Sequence, residues 1–203
     1  KPVGICGSGI LDLIAQMRLN GWIDVSGKLN PAASEHIRYD AALEEYTAVY
    51  ASAEESGNGE TLCFSQTDIL QYLDTKAAAY TMVDCLLESA GFTAEDLTAF
   101  YTSGAFGTYT DLESAITVGI FPDLPREKFH CLQNSSLAGA RELLLHRERM
   151  QDIRYLQQTV YHIQFASMPD FLIKMQAAKF IPHTDLTLYP SVMKKLPQSK
   201  TPS

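Results

Sequence analysis

The chain has 203 residues, 46% of them hydrophobic and 20% charged, with a formal net charge of −8 at pH 7; this composition fits one globular domain with a real core. The acidic balance argues against a nucleic-acid grip, which needs a basic stripe, and no apolar run approaches the roughly 20 residues that cross a membrane. Cys6, Cys63, Cys85 and Cys131 are widely spaced, with no C-x-x-C pair and no histidine in zinc-finger register, so they read as reduced cysteines and no metal site is assigned.

Gly4-Ile5-Cys6-Gly7-Ser8-Gly9 opens the chain and runs straight into an apolar helix. The start on Lys1-Pro2, without Met or a signal peptide, reads as the C-terminal piece of a longer cytoplasmic protein. Ser8 stands where an N-cap belongs, and Ile10, Leu11, Leu13, Ile14 and Met17 make a stripe at helical spacing. Asn20-Gly21 is a fitting stop. Residues 22–25 and 26–27 read as an extended piece and a turn.

Residues 32–64 read as a peripheral hairpin insert, with strands at 46–50 and 61–64 around a solvated loop at 54–59. Ser65-Gln66-Thr67-Asp68 resembles a capping box with Asp in place of Glu. It predicts a long helix through Ile69, Leu73, Ala77 and Leu87 that stops at Gly91. A short helix from residue 94, a buried strand at 99–102 and a second glycine loop, Ser103-Gly104-Ala105-Phe106-Gly107, follow. Further helices are predicted at 112–118 (ended by Gly119), from Asn134-Ser135-Ser136, at 147–157 and at 169–178. Alternation at 159–165 predicts a strand, and 183–203 reads as a loosely held tail. The order implies one subdomain over 1–182, of α/β or α+β class, with long helices on a mixed sheet.

The two glycine loops are the chemical signal. Glycine lets a ligand approach the main chain closely, and a loop that feeds a helix start presents free N–H groups to an anion. Either loop alone reads first as a tight structural turn; together they suggest a nucleotide cleft. Asp12, Asp68, Asp111 and Glu113 read first as carboxylates favouring helix N-termini. His130, His146 and His162 show no partner spacing, and Phe106 reads as core before ligand stack.

Six stretches together resemble one family. They are Gly4-Ile5-Cys6-Gly7-Ser8-Gly9-Ile10-Leu11-Asp12-Leu13, Ser65-Gln66-Thr67-Asp68-Ile69, Ser103-Gly104-Ala105-Phe106-Gly107, Asp111-Leu112-Glu113-Ser114-Ala115-Ile116 with Gly119, Pro122-Asp123-Leu124-Pro125, and Asn134-Ser135-Ser136-Leu137-Ala138-Gly139-Ala140. Over residues 2–182 the chain resembles the C-terminal domain of reductive activators of corrinoid-dependent methyltransferases. The resemblance implies a ribonuclease-H-like sheet flanked by helices, half of an actin-like ATPase fold. It implies ATP with magnesium in the full-length protein, an iron–sulfur cluster only in a missing N-terminal domain, and return of corrinoid Co(II) to Co(I).

By that resemblance Gly7, Ser8 and Gly9 face the nucleotide phosphates, Gly104, Ala105, Phe106 and Gly107 pack on the adenosine, and Asn134 and Ser135 lie near the same pocket. Ser103 stands where the family more often has Ala. No residue is assigned as catalytic. The family's aspartate-containing phosphate loop belongs upstream of Gly4, so the chain by itself is expected to be inactive. The implied partner is a corrinoid protein or a corrinoid-dependent methyltransferase, and a homodimer is compatible with the resemblance. The alternative function is a non-catalytic module that docks such a partner.

Overall fold

The structure is a computed structural model that describes residues 1–196; residues 197–203, the end of the predicted tail, lie outside the described residues. Helix α1 (Gly7–Leu19) starts one residue before Ser8, with extended Cys6 as its N-cap. The predicted cap at Ser8 is therefore corrected to Cys6. The Ile10 amide already donates to the Cys6 carbonyl at 2.9 Å, which closes the first helical turn there. Leu11, Ile14, Ala15 and Met17 form the buried stripe, and Gly21, at φ +72°, carries the chain out of the helix.

Between α1 and the long helix lie three strands, not two: β1 (Ile37–Asp40), β2 (Glu45–Ala51) and β3 (Leu62–Ser65). They form an antiparallel meander in that order. Ile37, Ala48 and Phe64 enter the main core beside Leu11, Ile14, Ile69 and Leu73, so this segment is part of the core and not a peripheral hairpin. β1 escaped the sequence reading because its four residues hold only one inward apolar side chain, Ile37.

Ser65 caps α2 (Gln66–Ser89) as its sequence predicts. Its hydroxyl accepts from the Asp68 amide at 3.1 Å, and the Asp68 carboxylate accepts from the Ser65 amide at 3.0 Å. In mid-helix, Lys76 is fully buried and its ammonium donates to the carbonyls of Ala178, Phe180 and Pro182. Burial pulls the Lys76 pKa down to about 7, while three carbonyl acceptors match the three protons of an ammonium.

The second half holds a parallel pair, β4 (Phe100–Thr102) and β5 (Phe129–Cys131). Helix α3 (Gly104–Tyr109) follows β4, and the buried α4 (Leu112–Val118) packs against α1. Asp111 caps α4 through the Ser114 amide at 2.8 Å, and Gly119 ends it in the left-handed region. Helices and two small sheets together give the α/β character that the sequence predicts. Then come α5 (Ser135–Leu145), α6 (Met150–Thr159), α7 (Phe171–Ala178) and α8 (Pro190–Met193).

Two further expectations are corrected. The 159–165 strand is absent: α6 runs through Thr159, and a 3-10 turn occupies Phe165–Ser167. The alternation there marks exposed chain, with Val160 and Tyr161 on the surface. The stretch from 183 to 196 is not loosely held, because Tyr189 and Val192 are buried in a second core cluster with Ile116. Arg126 fastens it further: one guanidinium nitrogen donates to Ser191 Oγ at 2.8 Å while the group holds Glu113 and Asp123.

Candidate nucleotide-binding loops

At the first loop, α1 begins on Gly7, and the Ser8 hydroxyl lies 3.3 Å from Cys6 Sγ. The Ser8 hydroxyl, then the Gly9 amide, hold the exposed Cys6 thiol below its usual pKa. Gly7 is exposed, and Ser8 and Gly9 are half-buried. A side chain at Gly9 would meet Ile5 Cγ1 at 2.9 Å, so the Ile5 side chain would have to shift to admit one.

The second glycine motif is not an open loop but the start of α3, with extended Ser103 as its N-cap. Gly104 takes φ +78° with open space where a Cβ would stand; the positive φ is what a strand-to-helix reversal needs, and glycine takes it without cost. Gly107 is packed instead: a Cβ there would lie 2.9 Å from Thr102 Cβ. Ala105 is exposed, and Phe106, read as core from sequence, is 43% exposed.

The third segment leaves β5 through Leu132, whose amide donates to the Thr102 carbonyl at 2.8 Å, and through Gln133 at φ +52°. Asn134 caps α5 by accepting from the Leu137 amide at 3.0 Å, so its Oδ1 is engaged. Ser135 is half-buried beside it.

These segments, far apart in sequence, meet in space. A Cβ on Gly7 would touch Phe106 Cδ2 at 3.9 Å, and the Gly104 amide donates to the Gln133 carbonyl, next to Asn134. Thus the starts of α1, α3 and α5 form one surface, rimmed by the exposed thiols of Cys6 and Cys131. The Gln133 amide and Thr108 hydroxyl hold the Cys131 thiol below its usual pKa.

The geometry suits a nucleotide. Helix starts offer first-turn amides and the positive end of a dipole to phosphate, and glycines without a Cβ leave the backbone approachable. Phe106 offers a partly exposed aromatic ring. Asp12, read from the sequence as a first-turn carboxylate, instead lies one turn past Ser8 on α1, whose first turn holds no acidic residue, and its buried Oδ1 has no hydrogen-bond partner among the described residues. Its spacing of four from Ser8 was the available signal. No cluster of three His, Cys, Asp or Glu side chains among the described residues is placed to hold a metal ion.

Residues 1–193 match the family model described as the C-terminal domain of RACo, the ASKHA domain. The chain belongs to this family. The corrinoid activation enzyme RamQ of Eubacterium limosum is 29% identical over 177 residues, which are 84% of this chain and 30% of that protein. The [Co(II) methylated amine-specific corrinoid protein] reductase of Methanosarcina barkeri is 36% identical over 88 residues, 42% of this chain and 16% of its own length. A solved structure, the reductive activator for corrinoid, iron–sulfur protein, superimposes with a TM-score of 0.86 at 36% identity, covering 94% of this chain and 30% of that one. This RACo-type ASKHA domain thus spans less than a third of the proteins it matches, and the fold described above is shared with the solved structure over that span.

Proposed function

We propose that this domain is the nucleotide-binding portion of an ATP-dependent reductive activator, which returns corrinoid Co(II) to Co(I) in a methyltransferase system. The single observation that supports it is the meeting of Gly7 with Phe106, and of Gly104 with the Gln133–Asn134 turn. The family of the chain and the activities named for its relatives point the same way. Gly7, Ser8 and Gly9 would hold phosphate through main-chain amides. Gly104, Ala105, Phe106 and Gly107 would bound the adenosine, with Asn134 and Ser135 at its edge. Bound ATP with magnesium supplies the free energy of hydrolysis. On this reading the single electron for cobalt would come from an iron–sulfur centre in a part of the protein outside these residues, and the site of action would be cytoplasmic.

The exposed apolar side chains of α5 and α6 favour a second role, docking of a corrinoid protein or a methyltransferase. Leu137, Leu144, Tyr155 and Leu156 are exposed there, and no residue of either helix is buried. The test is an assay in the full-length protein. ATP affinity is measured by calorimetry, and Co(II) reduction in a corrinoid protein is followed by its absorbance. Tight ATP binding together with ATP-dependent reduction is expected. A folded protein that neither binds ATP nor needs it for reduction would leave only the docking role.

A further inference from the structure

A cavity of about 360 Å³ lies between α1 and the antiparallel sheet, lined among others by Leu13, Trp22, His36, Arg38, Tyr50 and Glu55. It shares no residue with the three helix starts. Along α1, Leu13 lies about 9 Å from Gly7, at the 1.5 Å rise per residue of a helix. We propose that this cavity is a second ligand site, built for a planar organic anion.

Three features point to that class of ligand. The Trp22 and His36 rings stack at 5.9 Å with an interplanar angle of 14°, an aromatic pair that another ring can extend. Arg38 spends its Nε on the Glu35 carbonyl at 3.0 Å and forms no ion pair among the described residues. In a chain with 24 acidic and 16 basic side chains, a guanidinium left without a carboxylate has its planar donor fork free for an incoming one. The half-buried Tyr50 hydroxyl makes no hydrogen bond among the described residues, and burial, then the nearby Cys63, raises its pKa. It remains a neutral donor.

The one carboxylate in the wall does not compete for Arg38. Glu55 Oε2 accepts from the Ser52 amide and hydroxyl, both at 2.9 Å. The Ser52 amide and hydroxyl, with a smaller contribution from His36, hold Glu55 below the usual carboxylate range, so it stays charged on those partners. A flat ring added to the Trp22–His36 pair with its carboxylate on Arg38 and Tyr50 uses the free guanidinium fork and the free phenol hydroxyl together.

Trp22 is the only tryptophan of the chain, so its fluorescence reports occupancy directly. The probe is 2-naphthoate, with neutral 2-naphthalenemethanol as control, each titrated by fluorescence and by calorimetry. Saturable binding of naphthoate is expected, at least about tenfold tighter than the alcohol. Arg38→Gln should weaken naphthoate by about tenfold or more, near 1.4 kcal/mol, without changing the alcohol. Tyr50→Phe should weaken it about threefold and serves as the second variant if Arg38→Gln lowers the melting temperature. Equal affinity for acid and alcohol, no saturable signal, or unchanged binding in the folded variants would overturn the proposal. Displacement of naphthoate by ATP would also overturn it, because the cavity would then belong to the nucleotide cleft.

Discussion

Gly7 and Phe106 face each other across the starts of two helices, 3.9 Å from an ideal Cβ on one to the ring of the other. Glycine at position 7 keeps the ring edge and the α1 amides accessible together, which a larger residue would not. Four predictions follow from positions where such geometry has a measurable cost.

Gly104→Val in the full-length protein should weaken ATP binding by more than tenfold, about 1.4 kcal/mol or above. The φ of +78° disfavours any side chain, and a branched one also fills the open space that an adenosine would use. Calorimetry gives the affinity and thermal melting shows that the fold persists. Unchanged affinity in a folded variant would reduce this glycine to a turn residue.

Gly119→Ala and Gly91→Ala form a matched pair. Both glycines have positive φ, +83° and +76°, but a Cβ at Gly119 would collide with the Pro182 backbone while Gly91 faces open space. Gly91→Ala should cost about 1 kcal/mol, and Gly119→Ala about 3 kcal/mol or more, since backbone must move. Urea denaturation measures both, and equal losses would contradict the assigned contact.

Lys76→Met removes three hydrogen bonds to buried carbonyls while keeping most of the packed stem. The orphaned acceptors should cost about 3 kcal/mol or more. A variant as stable as the parent, read from its urea midpoint, would show that the ammonium contributes nothing net.

Glu113 is gripped by Arg126 through both oxygens, at 2.6 and 3.0 Å, and also by Lys195. The Arg126 hydrogen bond foremost lowers its pKa from 4.5 to about 2. A carboxylate depressed on folding stabilises fully above its unfolded pKa and loses that contribution as pH falls through the folded one. Glu113→Gln should therefore cost about 1 kcal/mol at neutral pH, discounted for its 45% exposure. The gap between parent and variant should close between pH 4.5 and about 2. A gap that persists at the lowest pH would assign the loss to packing.

Local signals were legible wherever the controlling partner was near in sequence. The α1 stripe, the Ser65–Asp68 capping box, the placing of Asp111 at a helix start and the Gly119 stop could be read because each is settled within one turn. The glycine motifs were legible as a pair, but not the contact of Gly7 with Phe106 or the turn at Gln133, which depend on β4 and β5 lying side by side. Lys76 gave no sequence signal, since its acceptors are backbone carbonyls more than one hundred residues away. Alternation at 159–165 misled because period two marks a strand only where one face is buried and a neighbouring strand pairs with it; here Ile163 and Phe165 are only half-buried and the other residues are exposed.

The stretch from Ala178 to Pro182 binds elements from most of the chain. Lys76 of α2 holds its carbonyls, Val25 accepts the Ile181 amide at 2.8 Å, Arg18 of α1 reaches the Ile181 carbonyl at 3.4 Å, and Gly119 after α4 lies against Pro182. On a ribosome, α1, the meander and α2 are all made long before this strap exists. The protein acceptors that let the Lys76 ammonium be buried arrive only with residues 178–182, so completing the core around α2 depends on the end of the domain. Its cooperative transition waits for contacts of very long sequence separation, the kind that slow folding most.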